Sequence, residues 1–534
     1  MLQSPRLRTL LAGWTLAWIA IHAWLTGVTL YAFDLGGAGA VGVVIVARQF
    51  PQAVAVPALA WLADRVRRNR LLAGGAAVGA VSAFGACAGA VLSLPLAIPA
   101  AAAAVQGIGE AQIRTAYSGA IPQACETSVQ ATTVNGLSST AVGAALAVGP
   151  LLVAAIFVVG SPAAVFAVVG TLLAAAAVLL VRVGIPAPEP TKGPGRSVLA
   201  ELLAGADVLI RKRSVGSIVA DLAVGDFVLG ALRVIAPAIA FGLLGIGNSG
   251  VALMLAAIGG GAVIGGIAIG LWGTGLPNGI VFGSGAVLLA AALIAAAAFP
   301  ELAPVFTLLG LAGVGYAAYA TSGNTMLQGI VPNDRLARTM GVYVVASTVA
   351  GGVGGFAASG LIEAIDVRWS VAGVAATLLI AVAITRPGLR EAEQEFDRAA
   401  PLLEFLGEVD IVRPLPLTAK AGLVGAAESL QVSRGEIIVQ QGQVDDRLFM
   451  IRKGEFTAEL DGTPVREMGP TEVFGEIAVL RDVPRTATVR ARTDGEVLAI
   501  RRAAFLTALH ASAASTALAT DLAQRRSAGS SSTA

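Results

Sequence analysis

Apolar residues run through the first three quarters of this chain in long blocks, without the polar residue every third or fourth position that marks a water-facing helix. A helix needs about 20 apolar residues to cross a hydrocarbon layer of about 30 Å, at about 1.5 Å per residue. Twelve blocks reach that length, near 10–34, 40–63, 71–93, 96–117, 131–159, 163–183, 215–244, 249–271, 279–299, 302–325, 338–362 and 369–385. The pattern predicts an α-helical membrane bundle of twelve transmembrane helices. From Val234 to Pro300 there is no charged side chain at all, which lipid tolerates and water does not. Gly388 to Leu406 then alternates charged and apolar residues as an amphipathic helix would. After Gly435 the period shortens. Strands are expected at 437–439, 448–451, 456–460, 487–491 and 497–500, with glycines 435, 442, 454, 462 and 469 at the turns. Such spacing fits a small barrel or jelly roll, here a β-roll with flanking helices at 502–510 and 512–526.

Composition sharpens this division. The 534 residues include 36 basic and 34 acidic side chains, or 13% charged against 56% hydrophobic, where soluble domains average about 25% and about 45–50%. Of the charged side chains, 32 lie between Pro401 and Ala534, so the last quarter has the composition of a soluble domain and the front that of a lipid-dissolved one. A net charge of +2 gives no reason to expect nucleic acid as a partner. Cys87 and Cys125 cannot form a disulfide framework and read as reduced packing residues. The first apolar block is too long for a cleavable signal peptide. If the N-terminus is inside, the inner segments hold Arg6, Arg8, the cluster Arg65 to Arg70, Lys192 to Arg213, Arg335, Arg338, Arg386 and Arg390, and the outer ones only Arg368. That bias places both termini in the cytoplasm of a multi-pass plasma (inner) membrane protein.

The blocks divide after the sixth, at the polar, proline-bearing linker 186–212. Across it runs a sparse repeat. Ile121-Pro122, Ala131 to Thr133 and Gly149 have counterparts in Val331-Pro332, Ala337 to Thr339 and Gly355, the last two pairs at an offset of 206 residues. This fits a transporter built from two related halves, 1–185 and 213–386, in a membrane domain spanning 1–386. Ionisable side chains inside lipid are costly and predict a cavity or a partner. They are His22, Arg48, Glu110, Arg114, Asp226 and Arg233, with Asp221 beside them. Glu110 and Arg114 stand one turn apart and can form an intrahelical pair near the inner surface; Arg48 and Asp226 have no same-helix partner within a turn.

Between the second and third blocks, Ala60-Trp-Leu-Ala-Asp64-Arg65-Val-Arg67-Arg68 resembles the cytoplasmic signature of the major facilitator superfamily. That resemblance implies two pseudo-symmetric six-helix halves, a cavity lined by helices 1, 4 and 7, and a cytoplasmic latch formed by Asp64 and Arg65 with Arg68 in support. Gln106-Gly107 lacks the arginine of the family's fourth-helix pattern, and Gly149-Pro150 keeps only part of its antiporter-type pattern, so proton-driven export is only weakly implied.

A second resemblance lies in Phe474-Gly475-Glu476-Ile477-Ala478 through Arg485-Thr486-Ala487, which is similar to the phosphate-binding cassette of cyclic nucleotide-binding domains. It implies such a domain at 409–526, joined by a coupling helix at 387–408 and ending in a flexible tail at 527–534. It further implies that Gly475, Ile477 and Ala478 line the phosphate with amides, that Arg485 carries the counter-charge, that Glu476 accepts the ribose 2′-hydroxyl, that Thr486 touches the phosphate or a guanine edge, and that Ala487 belongs to the same nucleotide site. Thr471-Glu472 stands where the family commonly has Gly-Asp. Leu518, Thr516 and Thr520 provide no aromatic lid, so cAMP and cGMP are not told apart.

The expected assembly is a secondary active transporter, an exporter of an unidentified small molecule, regulated by cyclic AMP or cyclic GMP. Two alternatives are a membrane-anchored cyclic nucleotide receptor without transport and a transporter of the cyclic nucleotide itself. No enzyme is expected, since only His22 and His510 could join a metal cluster and no triphosphate loop or activated nucleophile is present; no cofactor, catalytic residue or metal site is assigned.

Overall fold

The computed structural model describes residues 4–531 apart from 64, 125–127, 186–205, 273–276, 332, 416 and 510–511. Asp64 of the expected latch, most of the linker, Cys125, Pro332 and His510 lie outside the described residues. The chain forms two compact units. The first comprises Met1–Cys125, Thr133–Leu327 and Ala337–Glu393, and the second Glu126–Thr132, Gln328–Leu336 and Gln394–Ala534.

Among the described residues up to 408 the long helices are α1 (Pro5–Ala63), α2 (Arg68–Val91), α3 (Ala97–Ala124), α4 (Ser128–Val159), α5 (Pro162–Val181), α6 (Arg213–Ile239), α7 (Gly247–Trp272), α8 (Asn278–Ala298), α9 (Leu302–Ile330), α10 (Asn333–Ala364) and α11 (Val367–Glu408). Their outward faces carry exposed Val81, Ile264, Ile280, Phe356 and Ile384, a surface suited to lipid tails. Among the described residues ten helices are long and apolar enough to cross a membrane, rather than twelve. Two local features account for the difference. The blocks 10–34 and 40–63 both fall in α1, which is interrupted only at Gly36–Gly37. Gly37 has φ +62° and ψ −152°, a region open essentially to glycine, so the helix direction changes there with no loop. The other is α3, where Gln106, Glu110, Gln112 and Arg114 interrupt the apolar run.

Small residues set how closely these helices approach. The α8–α9 crossing has Gly285 facing Gly315: a Cβ on Gly315 would lie 2.6 Å from the Leu289 amide nitrogen and 2.8 Å from the Gly285 carbonyl oxygen. The two glycines of the repeat serve similar ends, Gly149 against His22 and Ala23, and Gly355 against Ile45.

The second unit contains the β-roll. Its strands are β1 (Ala427–Val432), β2 (Ile437–Val439), β3 (Arg447–Lys453), β4 (Phe456–Leu460), β5 (Thr463–Met468), β6 (Val473–Phe474), β7 (Thr488–Ala491) and β8 (Gly495–Arg501). They form two antiparallel four-stranded sheets, in the orders β1-β8-β3-β6 and β2-β7-β4-β5. Alternation along β3 divides its side chains. Phe449 and Ile451 join Phe456, Phe474 and Val489 inside the roll, while Leu448 and Met450 point to a second core. That second core holds Phe405 and Leu406 from the end of α11, together with α12 (Leu417–Ala426) and α14 (Arg502–Leu509). The short α13 (Glu476–Arg481) lies between β6 and β7, and α15 (Ala513–Ser531) follows α14.

Replacing Gly315 by alanine pushes a methyl group into backbone that cannot yield, at a cost of about 1–3 kcal/mol. We expect Gly315→Ala to lower the thermal midpoint of the purified protein. The control Gly283→Ala, where a Cβ meets nothing within 4 Å, is expected to be neutral or stabilising; equal midpoints for the two variants would remove the steric account of the α8–α9 crossing.

Candidate nucleotide pocket and membrane cavity

Backbone hydrogen bonds tie the end of the cassette to the roll. Arg485 N donates to Gln443 O at 2.9 Å, and Gly442 N donates to Arg485 O at 2.8 Å, tying the end of the cassette to the β2–β3 connection. Its side chain is almost wholly buried, at 1% exposure, and it is held from three directions. The Nη1 group donates to Gly475 O at 3.2 Å, Nη2 donates to Arg447 O at 2.5 Å, and Nη2 lies 3.1 Å from Asp445 Oδ2. The guanidinium also lies over the Phe449 ring, 5.6 Å from its centroid. Its Nε has no acceptor among the described residues. A buried cation with a donor to spare is a fitting counterpart for a compact anion.

Gly475 sits against this group with φ +79°, which favours glycine, and a Cβ there would displace Arg485 Nη1 from its position. It caps α13, whose first residue Glu476 is buried at 2% exposure; Ala478 is buried, Ile477 and Ala487 are partly covered, and Thr486 is exposed. All seven cassette residues singled out from the sequence therefore lie in or beside one turn of the roll. The departure at Thr471 has a visible consequence: it adopts φ +70°, a strained conformation for a β-branched residue, at a cost of about 1–3 kcal/mol. Glu472 offsets part of this by accepting from Gly469 N at 2.9 Å and pairing with Arg466. The turn still delivers Val473 and Phe474 to their partners Met450 and Phe449. Asp445 and Phe449 were not found from the sequence. The only signal for Asp445 was a carboxylate at the turn before β3.

Asp445 joins two arginines, accepting from Arg447 Nε at 3.1 Å and Nη2 at 3.2 Å as well as facing Arg485. Burial alone would push its pKa up, but the hydrogen bonds from Arg447 and Arg485 outweigh it and hold the carboxyl below the ordinary value.

In the first unit, His22, Arg48, Glu110, Arg114, Asp226 and Arg233 all line a single cavity of about 260 Å³. Glu110, buried at 3% exposure, does more than pair within its own helix. Its Oε2 receives Arg48 Nη2 from α1, and its Oε1 receives Arg114 Nε at 3.0 Å from within α3. Arg48 thus has a cross-helix carboxylate and a second bond to Gln49 Oε1 at 3.0 Å. Arg114 stacks over Trp18, 4.5 Å from the ring centroid. The cavity wall also includes Tyr316 from α9 and Tyr343 and Ser347 from α10, which the sequence did not single out. Asp221 lies outside it, fully buried, accepting from Thr385 Oγ1 at 2.7 Å. Of the latch residues, Arg65 and Arg68 lie in the turn between α1 and at the start of α2, while Asp64 is outside the described residues.

The family model for the Major Facilitator Superfamily matches residues 9–227 and 222–432, most of the chain. The chain belongs to that superfamily. A second model, for the cyclic nucleotide-binding domain, matches residues 429–512, so this superfamily member carries such a domain at its C-terminal end. Over 115 residues the chain is 31% identical to the cAMP-dependent protein kinase regulatory subunit of Emericella nidulans, covering 21% of this chain and 28% of that protein. The chain spans less than a third of the length of the curated relatives it matches first. A solved bacterial homolog of the human lysosomal transporter Spinster aligns with a TM-score of 0.56 at 15% identity, over 74% of this chain and 98% of that one. The nucleoside transporter NupG aligns with a TM-score of 0.60 at 13% identity, over 72% and 99%. At those identities the two share its fold. The protein is a multi-pass membrane protein.

Asp445 contributes stability above its unfolded pKa of about 3.9, and that contribution is lost as pH falls through its lower folded value. In the full protein at pH 7, Asp445→Asn is expected to weaken protection of β3 amides in hydrogen exchange by about 1–3 kcal/mol, because a buried arginine loses its carboxylate. The difference from wild type should shrink towards zero as the pH falls through the lowered folded pKa of Asp445; a pH-independent difference would count against the carboxylate.

Proposed function

We propose that this protein is a secondary active transporter, exporting a small molecule, whose cycle is set by a cyclic nucleotide bound to its C-terminal domain. The observation that carries the sensor is Arg485: buried at 1% exposure, beside Gly475 in a left-handed conformation that favours glycine, with Nε lacking an acceptor among the described residues. The cyclic phosphate sits on that guanidinium and on the amides of Gly475, Ile477, Ala478 and Ala487. Glu476 takes the ribose 2′-hydroxyl, and Thr486 lies at the exposed rim near the phosphate or base. The curated kinase relatives are named for cAMP, which makes it the first ligand to try.

The carrier reading is supported by six ionisable side chains from α1, α3 and α6 converging on one cavity of the bundle. Both termini face the cytoplasm of the plasma membrane, with domains at 1–386, 387–408, 409–526 and 527–534, and Asp64, Arg65 and Arg68 latch the inner side. Regulation requires the nucleotide to bind one conformation better than another. Within the second unit the end of α11 supplies Phe405 and Leu406 to the core shared with β3, and Phe396 packs against Gly329. A change in the roll on binding therefore acts on α11, the helix that also contains the last membrane-spanning block.

Purified protein is expected to bind radiolabelled cAMP or cGMP, and Arg485→Ala to weaken that binding at least a hundredfold; undiminished binding in the variant would remove the site. In proteoliposomes, Arg48→Ala and Asp226→Asn should impair flux with the protein still inserted. Removal of residues 390–534 should leave flux and erase its response to nucleotide, and a truncated protein that still responds refutes the arrangement.

A further inference from the structure

Two chambers of the first unit share a wall. The polar cavity of about 260 Å³ and a smaller chamber of about 50 Å³ both include His22 and Arg233. The smaller one is otherwise lined mainly by aliphatic side chains, among them Leu146, Leu232, Leu255 and Ile258, with Thr26 and Thr29, and suits a short apolar group.

Charge in the polar chamber is unbalanced, with three guanidiniums, of Arg48, Arg114 and Arg233, against the two carboxylates of Glu110 and Asp226. Glu110 is spent: Oε2 is taken by Arg48, and Oε1 by Arg114 at 3.0 Å and Gln52 Nε2 at 3.4 Å. Asp226 is the one carboxylate left, and among the described residues no ion pair within 4.0 Å joins it to Arg233. Arg48 Nε also lacks an acceptor among the described residues. Inside a lipid-embedded bundle, unmatched cationic donors are costly, and a bound anion is the partner that offsets the cost. A cation would add to the excess, and a neutral molecule would leave it in place.

We infer that the transported molecule is an organic monoanion bearing a short apolar group, its anionic head on Arg233 in the polar chamber and its apolar part in the chamber bounded by Leu255 and Ile258. This rests on the transporter reading for its physiological meaning, but the site itself is tested by equilibrium binding rather than by flux.

The probes are hexanoate, acetate and hexylammonium, titrated calorimetrically into the purified full-length protein at fixed ionic strength. Hexanoate is expected to bind at least tenfold more tightly than either of the others. Arg233→Gln should abolish the preference for hexanoate over hexylammonium, and Arg233→Lys should keep most of it. Leu255→Trp, which fills the apolar chamber, should reduce hexanoate to the affinity of acetate and leave acetate unchanged. Hexylammonium binding as tightly as hexanoate to the wild-type protein overturns the inference, as does the absence of hexanoate binding, whatever the variants do. Anion binding as expected with no flux of any bound anion in proteoliposomes would retire the transporter reading and keep the site; flux of a cation with no anion binding would do the reverse.

Discussion

An arginine cannot shed its charge at any pH the cell offers, so wherever the fold takes one out of water it must bring oxygen atoms to it. That requirement shapes both units. In the roll, Arg485 is met by the carboxylate of Asp445 and by the carbonyls of Gly475 and Arg447, and the strands are arranged so that all three converge. In the bundle, Arg48 and Arg114 divide one carboxylate, Glu110, and thereby tie α1 to α3. A guanidinium matched in part holds its surroundings in place and still has donors for a visitor. The same economy serves a sensor in one unit and a cavity in the other.

Much of this arrangement was legible in the chain. The cassette from Phe474 to Ala487 is contiguous, so its own residues, Gly475 and Arg485 among them, could be read in order, and the strands at 437–439 and 456–460 coincide with β2 and β4. The six ionisable side chains of the cavity stood out because each interrupts an apolar block, where a charge is costly and calls for a partner or a cavity. Three strands were missed for physical reasons. β5 is exposed at nearly every position and so carries no alternation, β1 is largely uncovered, and β6 is only two residues long.

What could not be read were partnerships across long stretches of chain. Asp445 lies 40 residues before Arg485, and Arg48 lies 62 before Glu110. A local reading assigned Glu110 to Arg114, one turn away, and did not see that the same carboxylate also serves another helix. Tyr316, Tyr343 and Ser347 were passed over because neutral polar residues are common in membrane helices, and only the folded bundle distinguishes those facing a cavity. The bend in α1 was legible, since Gly36 and Gly37 fall in the gap between the blocks 10–34 and 40–63, and the polar residues of α3 are what set it apart from the other long helices.

That bend at Gly37 has a practical bearing. Here α1 consists of two helices that meet directly at Gly36 and Gly37, whose backbone angles are both non-helical. Topology is commonly mapped by inserting epitope tags or protease sites between spans, and this position offers no slack to receive them. An insertion there would have to unwind helix on both sides, so the loss of signal from such a reporter would record damage to the fold rather than the side of the membrane it faces.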